Sequence, residues 1–150
     1  MDAQNREPAT RACYATSLRK ASRRLTQFYD DALAPAGLRS TQFAILGELA
    51  GADPGPVTLN QLARALVLDR SGLGHSLRPL QRDGLVRLDK GTNDRRSTHV
   101  VLTPDGRRRY KRAFPRWQQA QDRVAAIVGQ SAANELRSQL IDIAADDRLR

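Results

Sequence analysis

The stretch "RSGLGHSLRPLQRDGLVRLDKGTNDRRSTHVVLT", Arg70 to Thr103, changes its period partway along. Its first part places Leu73, Leu77 and Leu80 at helical steps, the spacing of one buried helix face. Ser71, His75, Arg78 and Arg82 then fall on the opposite face. Asp69 is placed to cap the start of this helix and Gly84 to close its end. Two short apolar runs follow, "LVRL" and "THVVL", joined by a polar turn from Gly91 to Ser97 that carries Arg95 and Arg96. Apolar runs of this length around a Gly/Asn/Asp turn predict a β hairpin.

Working outward, Thr58 caps a short helix, "LNQLARALV", so the middle of the chain reads as helix, turn, helix, hairpin. That order is a winged helix-turn-helix, which places one helix in the major groove and the hairpin beside it. From about Thr10 to Ala34, Leu18, Ala21, Leu25, Phe28, Ala32 and Leu33 keep helical spacing until Pro35 and Gly37 break it. Ser40 is an N-cap candidate for the next helix, which carries Phe43, Leu46 and Leu49 up to "GADPGP". Downstream, "TPDG" starts a long helix over Pro104 to Val128 with Tyr110, Phe114, Trp117, Val124 and Val128 in its stripe. Pro115 removes one of its backbone hydrogen bonds and predicts a bend. Gly129 separates it from a last helix with Leu136, Leu140 and Ile143 on one side, and "ADDRLR" reads as a frayed end. The fold class is therefore mostly α with a small β hairpin.

The chain of 150 residues fits one domain with a real core. Its formal net charge of +9 points to a polyanionic partner, nucleic acid or an anionic membrane surface. A single cysteine, Cys13, excludes an internal disulfide framework and suits a reducing compartment. No apolar run approaches the ~20 residues needed to span a bilayer. The N-terminal "MDAQNREPATRAC" carries no export pattern, so a cytoplasmic protein is expected. Enzyme readings find little support. His75 and His99 are not spaced with Cys or carboxylates as metal ligands, and neither a Gly-rich phosphate loop nor a nucleophile elbow occurs. No metal or cofactor is expected.

The exposed side of the Arg70 helix has chemistry that suits a DNA groove. Arginine forks onto guanine, while serine and histidine meet base edges or phosphates. A solvated polar face is the plain alternative for a lone helix; a basic hairpin directly after it shifts the reading to DNA. Gly72 and Gly74 each cost roughly 1 kcal/mol of helix stability against alanine. They read either as close approach of backbone to DNA or as a weak first turn.

The strings "LVLDRSGLGHSLRPLQRDGLVRL" and "NDRRSTHVVLTPDG" resemble the multiple-antibiotic-resistance regulator (MarR) family. The wing pattern Asp-x-Arg-Ser, four residues, then Leu-Thr is met by Asp94, Arg96, Ser97, Leu102 and Thr103. "LRSTQFAIL" and "TLNQLARAL" are similar to the family's second and third helices. The resemblance implies a homodimer binding pseudo-palindromic promoter DNA, with helices in 10–36 and 104–146 forming a dimerisation lobe and 40–103 the winged lobe. The apolar stripes of the end segments, more than one small winged helix can bury, point to the dimer independently. By position, Arg96 matches the arginine that enters the minor groove, and Asp94 the acidic residue that braces the wing. Residues expected to meet DNA are Ser40, Arg70, Ser71, Gly72, His75, Ser76, Arg78, Arg82, Arg95 and Arg96.

One branch of the family senses organic hydroperoxides through a cysteine near the start of the first helix. Tyr29 fits that branch, but Cys13 falls about two positions early, and Ser40 stands where a cysteine-contacting tyrosine belongs. Ser17, Lys20 and Arg24 flank Cys13, and cations there would favour the thiolate. A filler or interface cysteine is nonetheless preferred over a redox sensor. The expected function is a transcriptional regulator, read as a repressor, whose DNA affinity answers to a small ligand or oxidant held between the two lobes. The alternatives are a sequence-tolerant nucleic-acid-coating protein and a winged-helix protein-interaction module.

Overall fold

The structure, a computed structural model, describes residues 9–52 and 55–149. The segment 1–8, which bears most of the export reading, and Asp53–Pro54 of the "GADPGP" loop lie outside the described residues. The order is α1 (Ala9–Ala12), α2 (Tyr14–Leu33), a 3-10 turn (Ala34–Ala36), α3 (Ser40–Gly51), β1 (Val57–Thr58), α4 (Leu59–Ala65) and α5 (Arg70–Arg82). The hairpin β2 (Val86–Lys90) and β3 (Thr98–Leu102) follows, then α6 (Pro104–Val128), α7 (Gln130–Ala145) and a closing 3-10 turn (Asp147–Leu149).

Local chemistry sets most of these boundaries. The Thr58 hydroxyl accepts from the Gln61 N–H while the Gln61 side chain accepts from the Thr58 N–H, a reciprocal cap on α4. Asp69 caps α5 through the Gly72 N–H at 2.7 Å, and Thr103 caps α6 through the Gly106 N–H at 3.0 Å. Gly84 takes φ +70° just past α5, where its left-handed backbone ends the helix at little cost. α6 continues as one helix through Pro115, which leaves the Lys111 carbonyl without its usual helical donor.

Four expectations are corrected. The first helix is interrupted at Cys13, whose extended backbone (φ −82°, ψ 115°) starts a new helix at Tyr14. Ser40 is not the cap of α3 but its first residue. Arg39 holds the cap position, with the Gln42 side chain accepting from its N–H, and the Ser40 hydroxyl donates to Asp30 Oδ1 at 2.7 Å. The helix expected to reach Val67 stops at Ala65, because Val67 turns left-handed at φ +52°, rare for a β-branched residue. The C-terminal "ADDRLR" is a turn rather than a frayed end as far as Leu149, with the Asp146 carboxylate gripped by Arg148.

The sheet has a third strand that the sequence reading omitted. The order is β1-β3-β2, all antiparallel, with Val57 opposite Val100 and Val86 opposite Leu102. The core lies where α3, α4, α5 and the sheet meet, built on Ile45, Leu46, Leu62, Leu73, Leu77, Leu80, Val86 and Val100. Each such side chain contributes roughly 1.5–3 kcal/mol when fully buried. An aromatic group joins this core to α6: Phe43 stacks on Trp117 at 5.6 Å between ring centroids and lies 4.9 Å from Tyr110.

The ends of the chain are different. No residue of α7 is buried; Leu136 is 45% and Ile143 51% exposed, and on α2 Leu18 and Leu25 are also exposed. A subunit that leaves these stripes open has apolar surface for a partner. No helix among the described residues is long and apolar enough to cross a membrane.

Candidate nucleic-acid interface

On α5 the division expected from spacing holds. Leu73, Leu77 and Leu80 are buried, and Arg70, Ser71, His75, Arg78 and Arg82 are exposed. Ser76 is half-buried. Pro79, which the sequence reading passed over, lies inside α5 and deprives the His75 carbonyl of its usual donor. α5 and β2 wall a groove of about 400 Å³, floored by Leu59, Leu73, Leu77 and Leu88 and flanked by Arg70 and Arg78. The exposed side of α5 and the outer strand of the hairpin thus border one groove.

The wing turn is held from within. Asp94 Oδ1 accepts the Arg96 backbone N–H at 2.9 Å, and the Asp94 carbonyl accepts from both the Ser97 N–H and hydroxyl. The Gly91 N–H donates to the Ser97 carbonyl at 2.9 Å. Gly91 is buried, and a β-carbon there would strike the Ser97 hydroxyl and come 2.6 Å from the Asp94 carbonyl oxygen. The Arg95 and Arg96 side chains are exposed at the tip. A backbone fixed by its own hydrogen bonds presents two guanidinium groups without having to order itself on contact.

The two glycines of α5 separate. A β-carbon on Gly72 would lie 2.8 Å from Asp69 Oδ1, so this glycine accommodates the cap. Gly74 faces open space and lines the groove between α5 and β2. Gly74→Ala is therefore expected to stabilise the fold by about 1 kcal/mol, whereas Gly72→Ala gives no gain because it crowds the cap. Urea denaturation of both variants checks this, and equal stabilisation would refute the distinction.

Ser40 stands apart from α5's exposed face. Its N–H and hydroxyl both go to Asp30, and it lines a cleft of about 410 Å³ with Tyr29, Leu33, Phe43, Ala44, Gly47, Glu48 and Trp117. This cleft lies among α2, α3 and α6, between the end helices and the winged region. Sequence spacing gave no sign of it, since its residues come from three separated segments. The Tyr29 hydroxyl donates to Gln121 Oε1, and burial pushes its pKa up.

Cys13 is exposed at the N-terminal end of α2. A hydrogen bond with the Thr16 side chain, then backbone N–H groups of Thr16 and Ala15, hold its thiol below the ordinary value of 9.0. The only cation contributing is Arg19, and it contributes least; the flank expected from Ser17, Lys20 and Arg24 is not the cause. A lowered folded pKa means more thiolate than in the unfolded chain at pH values below the ordinary one. Iodoacetamide should therefore alkylate Cys13 faster in the native protein than in urea at pH 7, with the advantage vanishing above pH ~9. Equal rates at pH 7 would remove the helix-start effect. Among the described residues no group of His, Cys, Asp or Glu is arranged to hold a metal.

Comparison with known proteins places this geometry. Residues 36–97 match the model of the MarR family. The transcriptional regulator MosR of M. tuberculosis, solved in complex with DNA, is 34% identical, with 88% of this chain and 93% of that chain covered and a TM-score of 0.78. CouR of Rhodococcus jostii RHA1 bound to p-coumaroyl-CoA is 23% identical, covering 94% and 98%, TM-score 0.78. Bordetella bronchiseptica BpsR, whose DNA binding is regulated by 6-hydroxynicotinic acid, is 22% identical, covering 90% and 95%, TM-score 0.79. The latter two share the fold alone. No curated protein sequence matches the chain. With a winged helix-turn-helix between exposed end helices, and a full-length relative at 34% identity, this chain belongs to the MarR family of transcriptional regulators.

Proposed function

We propose that the protein is a cytoplasmic, non-enzymatic repressor that binds pseudo-palindromic promoter DNA as a homodimer and releases it on binding a small effector. The observation that carries the reading is the single surface made by α5 and the wing. Arg70 and Arg78 flank its groove, and Arg95 and Arg96 sit at its tip on a self-braced turn. In this reading Ser71, His75 and Arg82, with Arg78, face the major groove, and Arg96 enters the adjacent minor groove, where negative potential concentrates. The uncovered stripes of α2 and α7 support dimerisation through segments 10–36 and 104–146, leaving 40–103 to bind DNA. A two-fold dimer sets its recognition helices about one helical turn, ~34 Å, apart. A ligand in the cleft among α2, α3 and α6 sits where it can alter that spacing, and BpsR, which shares the fold, is a case of DNA binding regulated by a small molecule.

The test is a footprint over the protein's own upstream region, with light scattering of the same sample. A bounded, two-fold site and a dimer at micromolar concentration are expected. Uniform retardation of any duplex would favour the coating protein, and a monomer would end the dimer model.

A further inference from the structure

The cleft among α2, α3 and α6 has a charge character that narrows its ligand. This inference rests on the proposed effector role of that cleft. Its wall is aromatic, from Tyr29, Phe43 and Trp117, with Leu33 and Ala44 beside them. The one carboxylate in its lining is Glu48, whose side chain is exposed. Behind Ser40 stands a second carboxylate, Asp30, which already accepts the Ser40 N–H and hydroxyl. Among the described residues lining the cleft none is basic. In a protein of net charge +9 that is a local reversal of sign. The neighbouring cleft shows the contrast: about 420 Å³, walled by Phe28 and Ala120, with Arg116, Arg123 and one carboxylate, Asp31, in its lining. The lining there carries two guanidinium groups against one carboxylate, whereas the lining here carries the Glu48 carboxylate and no cation.

We propose that the Tyr29–Phe43–Trp117 cleft selects a planar aromatic cation, its ring against the aromatic wall and its positive nitrogen toward Glu48. Aromatic faces attract a cation through their quadrupole, and a carboxylate at the rim adds charge attraction where water is partly excluded. An aromatic carboxylate of the same size is disfavoured by repulsion from Glu48, with no basic side chain in the lining to offset it. The volume suits a bicyclic ring, within the range of small-ligand sites.

Two near-isosteric probes test this on the intact protein: the N-methylquinolinium cation and 1-naphthoate. Trp117 is the only tryptophan, so its emission reports the cleft directly, with calorimetry as the second readout. N-methylquinolinium should bind saturably and about tenfold more tightly than 1-naphthoate. Glu48→Gln should lose most of that preference, and Glu48→Lys should reverse it, each with unchanged circular dichroism because Glu48 is exposed. Tighter or equal binding of 1-naphthoate overturns the proposal. So does the absence of saturable binding by either probe, or a preference unaltered in Glu48→Gln. Retardation of duplex DNA by the ligand-free protein is measured alongside. It reports on the regulator reading alone, so either can fail while the other stands.

Discussion

Gly106→Ala is expected to destabilise the protein by about 3 kcal/mol, the upper part of what overpacking a tight site costs. A β-carbon at Gly106 would run into the Leu85 carbonyl oxygen and come 2.9 Å from its carbon, both backbone atoms that no rotamer can move aside. The same carbonyl accepts the Thr103 N–H at 3.1 Å, and the Thr103 hydroxyl donates to the Gly84 carbonyl while capping α6. The start of α6, the end of α5 and the root of the wing are thus clamped at one point. For a chain of this size the loss corresponds to a fall in Tm of roughly 6–12 °C. The scan should be run at fixed protein concentration, since subunit association contributes to Tm. Gly51→Ala, whose β-carbon meets nothing within 4 Å, is the control and should not destabilise. A Gly106→Ala protein melting with the wild type would mean that the clamp is looser than drawn.

Arg96→Ala is expected to leave folding untouched and weaken DNA binding on every sequence. Its side chain is exposed at the wing tip, and surface substitutions of this kind stay within about 0.5 kcal/mol in stability. Removing one phosphate-neutralising charge should lower the magnitude of the log–log salt slope by roughly 1. Asp94→Ala should be a milder version of the same defect. It deletes the acceptor of the Arg96 N–H and loosens the turn, yet leaves both guanidinium groups in place. Arg78→Ala should differ in kind, costing ~1–3 kcal/mol and relaxing preference at one base pair. A salt titration and a base-substitution series on these variants separate the three patterns. Arg96→Ala binding the selected site as tightly as wild type at all salt concentrations would leave the wing as a mere turn.

The parts of the fold legible in the sequence are those written in local chemistry. Thr58, Asp69 and Gly84 announce helix ends because a side-chain acceptor or a left-handed glycine acts within a few residues, and the Leu73–Leu77–Leu80 spacing fixes which face of α5 is buried. The break at Cys13 has no such marker: Ala12, Cys13 and Tyr14 contain neither proline nor glycine. β1 was missed because two residues carry no period, and its existence depends on β3, some forty positions away. Long range also hides why Gly106 is a glycine, since the Leu85 carbonyl it must avoid is brought near only by folding, whereas Gly91 avoids Asp94 and Ser97 of its own turn. The exposed basic side of α5 and the basic turn were legible from helical spacing and from the Gly/Asn/Asp turn. The cleft was not, because Tyr29, Phe43 and Trp117 converge from α2, α3 and α6.

Thr58 does two jobs at once. It is paired with His99 as the last residue of β1, and its hydroxyl and N–H close the cap on α4. A hairpin taken from another protein therefore cannot be exchanged as a free module. Unless its inner strand restores the partner for Val57 and Thr58 in the same register, the first turn of α4 loses its anchor, and α5 with it loses a neighbour. Insertions within 92–96, beyond the last paired rungs, escape that constraint. A change of length at the root of the wing therefore disturbs α4 as well as the hairpin, whereas one at the tip disturbs only the turn that Asp94 braces.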